Sequence, residues 1–206
     1  MAATNSFLIA DEAAREAVLF DAPDHTAGPI LKKATEQGWT LTGLWLTHGH
    51  FDHLADHAVV RQRFPEANIL LHALDQTKAQ HPEVQTRLFQ LPFEIPPLKA
   101  DGHVTDRQKL RIGGLEVEVI HTPGHSPGGV CFRWGDHLWV GDTLFAGSVG
   151  RTDLPGGSFE ALRGSIRGRL FPLGDGLAVH PGHGPSTTIG AERAANPFVG
   201  DGADHA

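Results

Sequence analysis

Residues 47–53 read THGHFDH, which puts three histidines and an aspartate into seven positions. Imidazole nitrogen and carboxylate oxygen are the donors of a transition-metal site. In an extended segment His48 and His50 lie on one side of the chain, while Asp52 and His53 fall at the turn into a helix. Two pairs of donors then point to adjacent places, a geometry suited to two ions. Alone, Asp52 would read as an ordinary helix N-cap; four such residues together at a strand end read as a metal motif.

Three more residues obey the same rule of a ligand-type side chain, flanked by glycine, at the end of an apolar strand. His125 stands in HTPGHSPGG, Asp142 in VGDTLF and His183 in VHPGHG. Each alone is an ordinary turn residue. With the first motif they make five histidines and two aspartates, His48, His50, Asp52, His53, His125, Asp142 and His183. Two ions sharing a bridging carboxylate and a hydroxide need about seven protein ligands. The absence of cysteine from the set leaves zinc, iron and manganese open.

The elements that must position these residues follow from period and punctuation. NSFLIA and EAVLFDAP predict a hairpin; AGPILKKATEQG predicts a helix closed by Gly38; WTLTGLWLT predicts a buried strand that stops where the motif begins. Leu54, Ala55, Ala58 and Val59 form the stripe of a second helix starting inside the motif and ending before Pro65. ANILLH predicts another strand. Residues 75–105 mix a short helix with a proline-rich stretch too irregular for a strand, and are expected to form a lid-like insertion. Antiparallel hairpins follow from QKLRI, LEVEVIHT, GVCFRW and HLWVGD, with turns at Gly113-Gly114 and Gly135-Asp136. SFEALRGSIRGRLF predicts an amphipathic helix capped by Ser158, with Leu162, Ile166 and Leu170 on its inner face, and GLAVHPGHG a last strand and loop. Two blocks of strands, each followed by helices, predict an α+β fold with two sheets face to face and helices outside. One domain over residues 1–206 is expected.

Composition narrows the function. The chain has 206 residues and a formal net charge of -7, which argues against a general phosphate-binding surface and hence against nucleic acid as a partner. One cysteine, Cys131, excludes an intrachain disulfide framework. Its mid-strand place makes it a core residue rather than a nucleophile. The N-terminal segment lacks the basic region and apolar run of a signal peptide, and no run of 18 apolar residues occurs, so no membrane association and a cytoplasmic location are expected. His72 and His121, each ending a strand, are expected to be packed or supporting histidines.

The order H-x-H-x-D-H, lone His, lone Asp, lone His resembles that of the metallo-β-lactamase-fold hydrolases over nearly the whole chain. HTPGHSPGG, GDTLFAGSVGRTDLPGGS and PGHGPSTTIGAERAANPF are similar to the short, one-domain glyoxalase II-like branch. The resemblance implies a four-layer αββα sandwich. It implies two divalent ions per chain, one held by His48, His50 and His125, a second by Asp52, His53 and His183, with Asp142 between them. Asp52 and Asp142 are then the expected catalytic carboxylates. The implied reaction is hydrolysis of a small-molecule acyl thioester, S-2-hydroxyacyl-glutathione first among them, by a hydroxide that exists near neutral pH because the metals lower the pKa of bound water. Arg151, nine positions after Asp142, is expected to bind an anionic part of the substrate. Glyoxalase II proper also grips glutathione through tyrosines, and this chain has none. A second implied reading shares the fold and the GRTD stretch: a persulfide dioxygenase with a single Fe(II) on His48, His125 and Asp142.

Overall fold

The computed structural model describes residues 3–203. Its first sheet is built by the predicted hairpin, β1 (Phe7–Asp11) and β2 (Glu16–Phe20), followed across α1 (Ala27–Glu36) by β3 (Thr40–Trp45). β3 runs parallel to β2 and is buried, as its apolar run requires. Gly38, at φ +71°, takes the left-handed conformation that lets α1 end and turn into β3.

The second helix differs from its expectation. It is divided into α2 (Phe51–Leu54) and α3 (His57–Arg63). Asp56, at the break, turns its carboxylate to the first turn of α1, where Oδ2 accepts the Ala27 N–H at 3.0 Å. A polar residue lying between members of the expected apolar stripe is thus used to cap another helix. β4 (Asn68–His72) then joins β3 in parallel. The segment expected to be a lid contains α4 (Gln76–Gln80) and α5 (Pro82–Leu88). Its end corrects the expectation of no strand: β5 (Gly102–Val104) pairs with β4 as the sheet's last member. Three residues are too few to show an alternating pattern.

The second sheet begins with β6 (Lys109–Ile112), β7 (Leu115–His121), β8 (Val130–Trp134) and β9 (His137–Gly141), each antiparallel to the next. A small ribbon, β10 (Leu144–Phe145) with β11 (Ser148–Val149), follows. Ser158 caps α6 (Phe159–Ser165) as expected, but the helix widens into a π-helical stretch over Ile166–Leu170. The i, i+4, i+8 spacing suits either form. β12 (Ala178–Pro181) returns parallel to β9, β13 (Thr187–Thr188) flanks it, and α7 (Ile189–Ala195) closes the element order.

Three apolar layers define the sandwich. Val18, Phe20 and Trp45 of the first sheet meet Val119, Phe132 and Trp139 of the second; Phe20 stacks on Phe132 with ring centres 4.9 Å apart. Such ring pairs add about 0.5–1.5 kcal/mol beyond area burial. Leu31 and Val60 cover the outer face of the first sheet, and Leu162, Ile166 and Leu170 that of the second. The order is therefore αββα. Among the described residues no helix is long and apolar enough to cross a membrane.

One consequence of this topology prepares the site. β2, β3 and β4 run parallel, so their carboxyl ends share an edge; β7, β9 and β12 likewise point one way. The segments bearing the candidate ligands all leave from such ends.

Candidate metal centre

The ligand atoms of His48, His50 and His125 lie within 4.8 Å of one another, as do those of Asp52, His53 and His183, and those of His48, His53 and Asp142. All seven residues singled out by spacing are thereby brought together. Asp142 sits between the groups: Oδ1 is 3.2 Å from His53 Nε2, and Oδ2 is 3.5 Å from His125 Nε2 and 3.3 Å from His183 Nε2.

Each ring is oriented from behind. His125 Nδ1 faces the carbonyl of Arg151 at 2.7 Å and His183 Nδ1 that of Ala3 at 3.0 Å. A carbonyl only accepts, so both rings carry hydrogen on Nδ1 and turn a bare Nε2 inward when neutral. Asp21 does the same for two more rings. Its Oδ2 takes the His53 Nδ1 proton at 2.8 Å and the Thr47 hydroxyl proton at 2.8 Å. With its single proton spent, Thr47 Oγ1 accepts from His48 Nδ1 at 3.0 Å, which leaves His48 Nε2 bare. His50 is turned the other way: Nδ1 faces the cluster, 2.7 Å from His125 Nε2, while Nε2 meets Lys78 Nζ at 3.1 Å.

Asp75 ties the histidine segments to each other. Fully buried, it accepts from Gly49 N at 2.9 Å, Ser126 Oγ at 2.7 Å and Gly128 N at 2.9 Å, so it spans the segments carrying His48 and His50 and that carrying His125. Gly182 lets the last segment approach, since a Cβ there would collide with the Asp142 carboxylate and the His53 ring. Asp21, Asp75 and Lys78 were not anticipated from the sequence. They belong to no spacing motif; a hydrophilic residue just past each of two buried strands was the only signal.

Electrostatics divides the site. Burial, and then the neighbouring imidazoles, push the histidines of the first cluster down: His48 well below the usual range, His50 to about 2, His125 more modestly. They are neutral: His48 and His125 turn bare nitrogens inward, whereas His50, whose Nε2 accepts from the Lys78 ammonium, carries its hydrogen on Nδ1 and donates it to His125 Nε2. In the second cluster burial opposes charge but is outweighed. Asp142, Asp21 and Asp52 raise His53 well above its usual value, and hydrogen bonds to Asp142 and Asp52 raise His183 to about 10. Against their own burial, Asp52 is held at about 2 by His53 and by its hydrogen bond with His183, and Asp142 well below the usual carboxylate range by the same two neighbours.

The donors fit divalent ions on a direct observation. Among the described residues the buried side-chain atoms without a hydrogen bond are Asp24 Oδ2, His53 Nε2 and Asp142 Oδ1. The last two face each other at 3.2 Å, an ion-pair distance without hydrogen-bond alignment. Leaving two such atoms buried and unbonded is costly, and a cation between them would satisfy both.

A cleft of about 810 Å³ opens over the clusters, lined by His50, Asp52, His125, Asp142 and His183 together with Phe89, Phe145 and Arg151. Arg151 stands where substrate recognition was expected, but its guanidinium makes two 2.7 Å bonds to Asp153. His72 and His121 lie outside the clusters and stack on each other, ring centres 4.3 Å apart. Cys131 is fully buried, and burial pushes its thiol up to about 11, which removes it as a nucleophile.

Comparison with known proteins agrees with the geometry. Residues 2–183 match the family described as the metallo-beta-lactamase superfamily. Haemophilus influenzae hydroxyacylglutathione hydrolase GloC is 34% identical over 95% of this chain and 92% of its own length. Among solved structures, the B3 metallo-beta-lactamase BLEG-1 aligns with a TM-score of 0.86 at 37% identity, over 95% of this chain and 94% of its own. TTHA1623 in a di-iron-bound form aligns at 0.82 and 36% over the same shares, and ETHE1 from Myxococcus xanthus at 0.80 and 30%, over 96% and 80%. With its sandwich, its ligand clusters and these likenesses, the chain belongs to the metallo-beta-lactamase superfamily.

Proposed function

We propose that this chain is a single-domain, binuclear metal-dependent hydrolase of small-molecule acyl thioesters, S-2-hydroxyacyl-glutathione foremost, working in the cytoplasm. The carrying observation is Asp142. Six ligand-type residues divide into His48, His50 and His125 on one side and Asp52, His53 and His183 on the other, and the Asp142 carboxylate contacts both groups. The likeness to GloC supports the thioester, and the di-iron form of TTHA1623 supports a pair of ions. Zinc, iron and manganese all suit an N/O donor set.

When bound, two Lewis-acidic ions supply an ionised water near neutral pH and polarise the carbonyl under attack. The chain's own work is to hold bare nitrogens inward through Asp21, Thr47 and the carbonyls of Arg151 and Ala3. Phe89, Leu91, Pro92, Phe145 and Val149 wall the cleft and displace bulk water around the reacting carbonyl. No side-chain nucleophile is needed, and a thiolate departs without a strong general acid. Arg151 pairs with a carboxylate of the substrate after releasing Asp153.

The second reading, a persulfide dioxygenase with one Fe(II), has its own contact in favour: His125 Nε2 lies 3.2 Å from His48 Nε2 and 3.5 Å from Asp142 Oδ2. The likeness to ETHE1 supports it. Elemental analysis, S-lactoylglutathione hydrolysis and persulfide-dependent O₂ uptake on one preparation separate the two. Two ions and hydrolysis without O₂ uptake are expected. One ion at saturation with O₂ uptake would replace the hydrolase by the dioxygenase.

A further inference from the structure

A second cavity, of about 400 Å³, adjoins the metal cleft and shares His50, Phe89 and Leu154 with it. It is a groove between α4, α5 and the turn at Leu154-Pro155. Its size falls within the range of small-molecule sites. Leu74, Val84 and Leu88 line it although they are 60%, 63% and 58% exposed. Three large aliphatic side chains held open to solvent on one short segment are unusual unless something covers them. Lys78 turns its ammonium inward to His50 Nε2, 3.1 Å away, which leaves its methylene stem along the groove.

The two cavities differ in chemistry. The cleft over the clusters adds to its apolar walls the polar groups of Gln90, Ser148 and Arg151 beside the ligands. The outer walls of the groove, Leu74, Val84, Leu88 and Pro155, carry no polar side-chain atom. Of the polar residues that also line it, Gln85 spends its amide on the Phe51 N–H and the Gly49 carbonyl, Lys78 its ammonium on His50 and His81 its Nδ1 on Glu83, and Thr77 adds one hydroxyl. A thioester presents two substituents on either side of its reacting carbon, and the walls sort them: a polar thiol carrier suits the cleft, an apolar acyl group the groove.

We propose that this groove is the acyl subsite of the metal centre and that the substrates it favours carry an apolar acyl chain, an inference that rests on the thioester-hydrolase reading. The chain enters past His50 between Phe89 and Leu154 and covers Val84 and Leu88. Binding strength then grows with chain length, by up to about fourfold for each methylene buried.

Two measurements on the full, metal-loaded chain test this. In the first, kcat/KM is compared for lactoyl, butyryl, hexanoyl and octanoyl thioesters of glutathione. Hexanoyl is expected to exceed butyryl by about tenfold, and Leu88→Asp to cut the hexanoyl-to-lactoyl ratio by at least that factor. Phe198→Asp, at an exposed aromatic that lines neither cavity, is expected to leave the ratio unchanged. In the second, calorimetry compares the uncleavable S-hexyl and S-methyl thioethers of glutathione. Tighter binding of the hexyl compound with a more negative heat-capacity change is expected, and both differences should vanish in Leu88→Asp. Hydrolysis with no dependence on chain length, or a dependence that survives Leu88→Asp, overturns the acyl subsite while leaving the hydrolase standing. Failure to cleave any thioester overturns the hydrolase itself, and equal thioether binding then removes the groove as well. If the parent is a dimer that Leu88→Asp converts to monomers, the groove is an interface between copies and the proposal fails.

Discussion

Asp21 Oδ2 lies 2.8 Å from His53 Nδ1 and 2.8 Å from Thr47 Oγ1, so one buried carboxylate at the end of β2 sets the tautomers of two histidines, His53 directly and His48 through the Thr47 hydroxyl. Its other oxygen accepts the Thr47 N–H at 2.8 Å. Replacing it by Asn keeps the shape but removes an acceptor and offers an N–H where the His53 N–H already points. Asp21→Asn is expected to weaken zinc binding by about 10–100-fold, the usual effect of losing a carboxylate behind a metal-bound histidine. Chelator competition measures it. Unchanged affinity in a folded variant would show that ring orientation does not depend on Asp21.

Asp142→Ala removes the contact common to both clusters. Its purified form is expected to hold at most one ion per chain where the parent holds two, and to lose nearly all thioesterase activity. His72→Ala, outside the clusters and stacked on His121, serves as comparison and should keep metal content and rate close to the parent's. Elemental analysis with steady-state rates decides. Equal behaviour of the two variants would sink the bridging role.

How much of this was legible in the sequence depends on where the information lies. His48, His50, Asp52 and His53 are local, and their spacing after an apolar strand announces both the residue types and the turn that carries them. His125, Asp142 and His183 share the strand-end signature, and the sheets bring their segments to a common edge. Asp75 is different. Its partners Gly49, Ser126 and Gly128 are 26, 51 and 53 positions away, and a lone Asp after ANILLH looks like any polar residue leaving a strand. The break at Asp56 was hidden likewise, because the N–H it accepts belongs to Ala27. Contacts made across the fold leave no period in the chain.

Arg151 is expected to matter modestly to binding. Meeting a substrate carboxylate costs it the paired bonds to Asp153, so one exposed ion pair is exchanged for another. Exposed pairs contribute about 0.2–1 kcal/mol, which caps the effect. Arg151→Ala should raise KM for S-lactoylglutathione by less than about fivefold, with kcat nearly constant. A fall in kcat at unchanged KM would mean that the substitution disturbs the Arg151 carbonyl that orients His125.

The metal-free fold should show a stability maximum near the ordinary histidine pKa of about 6.5. On the alkaline side the relevant groups are His53, raised well above its usual value, and His183, raised to about 10. A group whose pKa is higher folded than unfolded contributes stability that is complete below the unfolded pKa. That contribution is lost as pH climbs through the folded pKa, so the metal-free Tm should fall between pH 6.5 and 10. On the acid side His48, His50 and His125 are depressed, His50 to about 2. The unfolded chain binds their protons first as pH drops below about 6.5, and the fold weakens in that direction too. On the proposed ligand assignment, bound ions are expected to take the place of the protons on His53 and His183, since ligating imidazoles must be neutral. Loading at pH 8 should therefore release protons into a weakly buffered solution, and the loaded protein's Tm should lose its fall toward pH 10. Melts of both forms at pH 6.5, 8 and 9.5, with proton release followed by an indicator dye, test the pair of effects. A metal-free Tm that is flat or rising over that span would show that the Asp52–His53–His183 cluster does not hold its protons, and that Asp142 and Asp52 face one another uncompensated until the ions arrive.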